Sequence, residues 1–326
     1  MTDALTPIDD RHMGAALALS QRGRGITTPN PNVGCVIVKD GHVVGRGWTQ
    51  PGGRPHAEEM ALAQAGAAAR GATCYVTLEP CAHDSVRGPS CAGGLIAAGI
   101  GAARIALCDP DPRTNGRGIA QLQTAGIRVD TGSMAGAARR AMAGYLSQQE
   151  RARPHITLKL ATSLDGCIAR TDGESKWITG VAARTHAHLE RARCDMILIG
   201  RGTYDADMPR LDVRLPGLEN RSPRRAILTR GVAPDGWLGL SSPRAVSEIK
   251  DVQNLLIEGG AQTAAAFLKA DLVDRILLYR APVMIGTGKA SLGDIGLGRM
   301  ADAHDRWVHA DTRTLGIDTL DVYERV

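Results

Sequence analysis

The chain has 326 residues, 43% hydrophobic but only 3% aromatic, and its 39 basic and 34 acidic residues leave a formal net charge of +5. That length suits two domains of ordinary size, with cores built from Ala, Val, Leu and Ile. One Phe, five Tyr and a scattered basic surplus argue against nucleic-acid binding, which needs a basic stripe with stacking aromatics. An anionic small-molecule substrate accounts for the surplus as readily. No stretch approaches the length of a membrane span, and the opening MTDALTPIDD is too acidic and polar for a signal peptide. We therefore expect a cytoplasmic protein with no membrane or nucleic-acid partner, and a homo-oligomer. Of seven cysteines, Cys35, Cys74, Cys108, Cys167 and Cys194 read as buried free thiols, which suits a reducing compartment.

In chain order, residues 11–21 read as a helix, and VGCVIVKD and HVVGRGW as two strands turning at Asp40-Gly41, a strong hairpin signal. A helix at 57–69, a strand TCYVTL at 73–78, a helix from Cys91 to about 99, a strand RIALC at 104–108, a helix near 117–125 and a short strand at 127–129 follow. Strands alternating with helices predict a mixed sheet covered on both faces, with ligands at the carboxyl ends of its strands. A helix over 133–149 leads to a break at Arg153-Pro154. We place the domains at 1–150 and 151–326. The second half repeats the alternation: HITLKLATSLDG as strand and turn, a helix at 181–193, strands DMILIG, RAILT and NLLIEGG, a helix at 261–270, a strand over DRILLYRAPVMIG at 274–286 and a final strand TLDVYERV.

The chemistry concentrates in HAEEMAL at 56–62 and EPCAHDSVRGPSC at 79–91. A hydrolytic deaminase must generate hydroxide at neutral pH, which Zn²⁺ with three protein ligands and one open position does. His56, Cys81 and Cys91 supply such ligands. Glu58 is placed to move protons without binding metal, as in the H-x-E…P-C-x-x-C deaminases. A structural zinc would want a fourth protein ligand; His83 could serve, but it lies only two residues after Cys81 and is better read as facing substrate. In the second half, NLLIEGGAQTAAAFL is a strand, a Gly pair and a helix, either a phosphate cradle or a simple tight turn. Spacing alone favours plain surface solvation for Lys159, Asp207 and Arg214.

Taken together, PNPNVGCVIVKDG, HAE, TLEPC, LKLATSLDGCIA and GESKWIT occur in an order that resembles the bifunctional riboflavin-biosynthesis deaminase/reductase family, over nearly the whole chain. The resemblance implies a cytidine-deaminase-like α/β/α sandwich followed by a dihydrofolate-reductase-like α/β domain. It implies deamination of a diaminopyrimidinone carrying a ribosylamino phosphate, then reduction of the ribosyl group to ribityl with NADPH. Position by position, it makes His56, Cys81 and Cys91 zinc ligands, Glu58 the proton shuttle, and Asn30, His83 and Arg87 substrate contacts in the deaminase. It makes Ala161, Trp177, Thr203, Asp207 and the run Gly259, Gly260, Ala261, Gln262, Thr263, Ala264 and Ala265 cofactor contacts. Ser175, Arg191, Leu211, Arg214 and Glu258 become substrate contacts, and Lys159 and Asp207 lie beside the reacting ribose. This chain departs from the family in a cysteine loop one residue longer, in Thr49 where a histidine is common, in Asp207-Met208-Pro209 and in a short stretch between Thr229 and Glu258. The rival reading is a deaminase of a free base, nucleoside or tRNA whose second half binds a nucleotide without catalysis.

Overall fold

The computed structural model describes residues 7–84 and 88–326, and the chain divides into two compact units between Ala152 and Arg153. The first contains α1 (Pro7–Ser20), β1 (Gly34–Lys39), β2 (His42–Trp48), α2 (Ala57–Ala65), β3 (Thr73–Val76), α3 (Cys91–Ala97), β4 (Ala102–Ile105), α4 (Arg117–Thr124), β5 (Arg128–Thr131), α5 (Ala135–Ala141) and α6 (Ala143–Arg151). Its five strands run in the order β2-β1-β3-β4-β5. β1 is antiparallel to β2 and β3, while β3, β4 and β5 are parallel. The hairpin turns where expected, with positive φ at both Asp40 and Gly41, as a type I′ turn requires.

How α2 meets this sheet decides where the chemistry sits. Ala57, Ala61 and Ala65, four residues apart on one helix face, are all buried. Opposite them β2 offers Gly45 and Gly47, where a Cβ would overlap the carbonyl oxygens of Ala61 and Ala57. Helix backbone therefore rests directly on strand backbone.

The second unit contains β6 (His155–Thr162), β7 (Cys167–Arg170), α7 (Val181–Ala192), β8 (Met196–Gly200), α8 (Arg201–Asp207), β9 (Arg224–Leu228), β10 (Leu238–Leu240), β11 (Asn254–Ile257), α9 (Ala261–Lys269), β12 (Arg275–Arg280), β13 (Gly288–Ala290), β14 (Trp307–Leu315) and β15 (Asp318–Arg325). Eight strands form one sheet in the order β10-β9-β8-β11-β6-β12-β15-β14, and β7 pairs with β13. Strands β10 through β12 in that order are parallel; β15 and β14 add antiparallel edges. Side chains alternate across the sheet. Ile156, Leu158 and Leu160 pack with Ala264 and Phe267 of α9, whereas Ala161 packs with Ala183 and Ala187 of α7. Lys159 thus belongs to the α7 face.

Several expectations need correction. The strand expected at 104–108 is β4, ending at Ile105, and Cys108 beyond it is exposed and not a buried thiol. The single helix over 133–149 is two, broken at Met142, which has φ −109° and ψ 21° and is fully buried. The strand expected to continue to 286 stops at Arg280; Pro282 follows, which cannot donate to a ladder. The strands β7, β10, β13 and β14 and the helix α8 were not anticipated.

The helix seat gives a test. Gly47→Ala should lower the stability of the first unit by about 1–3 kcal/mol, the usual cost of overpacking. Chemical denaturation of wild type and variant measures it; equal midpoints would show that α2 is free to lift away.

Candidate functional site

His56 is the N-cap residue of α2, Cys81 follows the end of β3, and Cys91 opens α3 behind the N-cap Ser90. Their ligand atoms all lie within 4.8 Å of one another, and among the described residues this is the group placed to hold a metal. His56 Nδ1 stands 3.2 Å from Cys91 Sγ and 3.7 Å from Cys81 Sγ. Tetrahedral zinc, with bonds of about 2.0 Å to nitrogen and 2.3 Å to sulfur, separates its donors by about 3.5 Å. One imidazole and two thiols at these distances fit Zn²⁺ and leave one position for water. Hydrogen bonding to Cys91 and then to His56 outweighs burial and draws the Cys81 thiol down to about 4. The same contact, with burial, drives Cys91 up.

Glu58 is 3% exposed, and burial pushes its carboxyl up to about 7 against the pull of His56. Asn30 Nδ2 lies 3.2 Å from His56 Nε2 and donates to the Gly53 carbonyl at 3.2 Å. His83 buries an Nδ1 with no hydrogen-bond partner among the described residues. Arg87 lies outside the described residues. Thr49 is buried and accepts the Val33 amide at 3.0 Å. Sequence reading overlooked the acids beyond β4. Asp109 accepts the Tyr145 hydroxyl at 2.7 Å, and Asp111 holds Arg113; the only signal was DPDPR at the carboxyl end of a strand, where ligands bind.

In the second unit, Arg191 of α7 grips Glu258 with two bonds, Nε to Oε1 at 2.7 Å and Nη2 to Oε2 at 3.0 Å, while Lys159 Nζ stands 3.7 Å from Oε2. Burial alone would raise Glu258, but the charges of Arg191 and Lys159 outweigh it and hold the carboxyl down to about 2. Arg191 also donates to the Asp212 carbonyl at 3.1 Å, which ties in the segment carrying buried Leu211. Arg214 lies against His188 and Asp212, beside a cavity of about 520 Å³ lined by Arg210, Asp212, Arg214, Glu219 and Ser222. Asp207 pairs with Lys176 at 3.1 Å, not with Lys159. Trp177 is 67% exposed beneath the Arg184 guanidinium, and Ser175 is half-buried nearby in sequence.

The glycine turn is tighter than a bare cradle. The Gly260 amide donates to Thr203 Oγ1 at 3.1 Å, and a Cβ at Gly259 would crowd Thr263. Thr263, Ala264 and Ala265 are buried, Ala264 within the core, while Ala261 and Gln262 reach the surface. The short stretch before Glu258 still places Trp237 edge-on to Tyr204 of α8, at 5.2 Å between ring centroids.

A catalytic zinc wants three protein donors and a general base kept out of its coordination shell. The first unit meets both needs and is a deaminase of the cytidine-deaminase class. Residues 6–107 match the cytidine and deoxycytidylate deaminase zinc-binding region, and residues 154–318 match the RibD C-terminal domain. The riboflavin biosynthesis protein RibD of Escherichia coli is 38% identical over 90% of this chain and 94% of its own length. RibD of Acinetobacter baumannii superposes with a TM-score of 0.86 at 35% identity, covering 98% of this chain and 99% of that one. The diaminohydroxyphosphoribosylaminopyrimidine deaminase/5-amino-6-(5-phosphoribosylamino)uracil reductase of Thermotoga maritima does so with a TM-score of 0.86 at 28% identity, with the same coverage. The chain belongs to the RibD family of riboflavin-biosynthesis proteins.

Glu258 carries a pH signature. Its carboxyl sits at about 2 in the fold against an ordinary 4.5, so its stabilisation is complete above the ordinary value and is lost as pH falls towards the folded one. A shift of that size corresponds to about 3 kcal/mol at neutral pH. Denaturant titrations should find wild type and Glu258→Gln furthest apart at pH 7 and converging below about pH 4.5. A gap independent of pH would mean that the ion pair does not hold the carboxyl in its charged form.

Proposed function

We infer that this chain performs two successive steps of riboflavin biosynthesis: zinc-dependent hydrolytic deamination of a diaminopyrimidinone bearing a ribosylamino phosphate, then NADPH-dependent reduction of the ribosyl group to ribityl. The observation that carries the reading is the His56, Cys81 and Cys91 cluster, whose ligand atoms lie within 4.8 Å of one another, with the buried Glu58 carboxyl two residues from His56. His56, Cys81 and Cys91 would hold Zn²⁺, which supplies the Lewis acidity that lets water attack near neutral pH. Glu58 takes the proton from the attacking water and hands it to the departing amine. Water adds to the ring carbon, the exocyclic C–N bond breaks, ammonia leaves, and a ring carbonyl remains. Asn30 and His83 hold the pyrimidine, and Arg87 the phosphate.

In the second unit NADPH, when bound, would supply the hydride for the sugar carbon. Lys159, paired with Glu258, holds a proton for the reacting sugar, and Arg191 fixes Glu258 in place. Asp207, tethered to Lys176, sits with Ala161, Trp177, Thr203, the Gly259-Gly260 turn and Ala261 and Gln262 at the start of α9 on the cofactor side, while Ser175, Leu211 and Arg214 face substrate. A cytoplasmic setting suits this reading, with all seven cysteines free. No helix among the described residues is long and apolar enough to cross a membrane.

Glu58→Gln should keep its zinc and lose deamination by about 10²–10⁴-fold, the usual contribution of a positioned acid–base group. Metal analysis beside an ammonia assay checks this, and wild-type turnover would remove Glu58 from the mechanism. Cys81→Ser should abolish ammonia release yet leave NADPH oxidation by supplied deaminated substrate intact. Loss of both activities in a folded protein would argue for one composite site.

A further inference from the structure

The segment that delivers Cys81 is anchored residue by residue, and the deamination chemistry accounts for none of these contacts. Glu79, two positions before Cys81, is 3% exposed. Its Oε2 accepts the amides of Asp109 at 3.2 Å and Gly116 at 3.0 Å, and its Oε1 accepts the amide of Ile119 at 3.1 Å. Gly116 is the N-cap of α4 and Ile119 its third residue. The carboxylate thus satisfies amides that the first helical turn leaves open, at the positive end of the helix dipole. The next residue, Pro80, lays its carbonyl on Gly118 of α4, where any Cβ would overlap it. Cys81 itself accepts the Ala92 amide on its carbonyl at 3.2 Å, and the Ala82 carbonyl accepts Gln121 Nε2 at 3.1 Å. Four consecutive residues, 79 to 82, are held, three of them by α4 and its cap.

We propose that α4 is a clamp on the metal loop, with Glu79 and Gln121 as positioning residues that act through Cys81. The proposal rests on His56, Cys81 and Cys91 being the zinc ligands. By fixing the backbone on both sides of Cys81, the clamp presets the thiol where His56 and Cys91 meet it, so that the metal finds its donors already placed. The same carboxylate also accepts the amide of Asp109, tying the segment beyond β4 to the metal loop.

The test is the rate at which the zinc-loaded full-length protein gives up its metal to a chromogenic chelator. Glu79→Gln keeps the volume but turns one acceptor oxygen into a donor facing an amide N–H. It should release zinc about 10–100-fold faster, as partners behind metal ligands commonly do when replaced. Gln121→Ala removes one contact at an exposed side chain and should speed release by a smaller factor. The double variant should show less than the product of the two, because both act on one short segment. NADPH oxidation by supplied deaminated substrate should stay at the wild-type rate throughout. Wild-type release rates in both single variants would overturn the proposal, as would loss of NADPH oxidation alongside faster release. If Glu79→Gln does not fold, Gln121→Ala decides alone. Retention of zinc by Cys81→Ser as firmly as by wild type would instead reject the ligand assignment on which the clamp rests.

Discussion

The contact between α2 and β2, made without a side chain on the strand side, sets the conditions for everything in the first unit. Alanines every fourth residue on the helix meet Gly45 and Gly47 on the strand, so the two backbones touch. A longer side chain at either strand position would stand the helix off and admit water. Because the helix lies close, its first turn is dry, and Glu58 loses the hydration that would keep its carboxyl acidic. The same seating puts His56 at the helix start, level with the end of β3, where Cys81 arrives. Packing of small residues thus precedes the chemistry and makes it possible.

Two buried glutamates show how partner choice divides the labour. Glu58 and Glu258 are both withdrawn from solvent, at 3% exposure for the first and 8% for the side chain of the second. Burial raises Glu58 to about 7 against the pull of His56; Glu258 is buried as well, but the charges of Arg191 and Lys159 outweigh that burial and hold it down to about 2. The second stays a fixed anion that orders Arg191 and Lys159 around it, at the end of the central strand β11. A carboxylate held in its charged form this way is ill suited to act as a base at neutral pH.

How much of this the sequence revealed depended on whether a feature was local. The Asp40-Gly41 turn, the hairpin around it and the HAE…EPC…C spacing lie within short windows whose residue types leave few alternatives, and the structure brings His56, Cys81 and Cys91 together. The Arg191–Glu258 pair is 67 residues apart in sequence, and no periodicity announces it; family resemblance alone singled out both residues. β14 escaped because WVHADTRTL is an edge strand, mostly exposed and without apolar alternation. The break at Met142 escaped because no proline marks it and Gly144 falls inside the second helix. There Asn32 Nδ2 donates to the Ala141 carbonyl at 3.0 Å, a contact made by a residue over a hundred positions away.

Gly45, Gly47 and Gly118 share a property that bears on descent. At each, a backbone carbonyl occupies the space a first side-chain carbon would need. Every other amino acid carries that carbon, so no codon change at these positions is conservative, however small the replacement. Most core sites can drift through a series of similar shapes, each step tolerated while neighbours adjust. These three have no such neighbours in shape space. A lineage that replaced one would have to move a whole helix, either the one that starts at the metal or the one that braces it, before selection could act on the catalyst again.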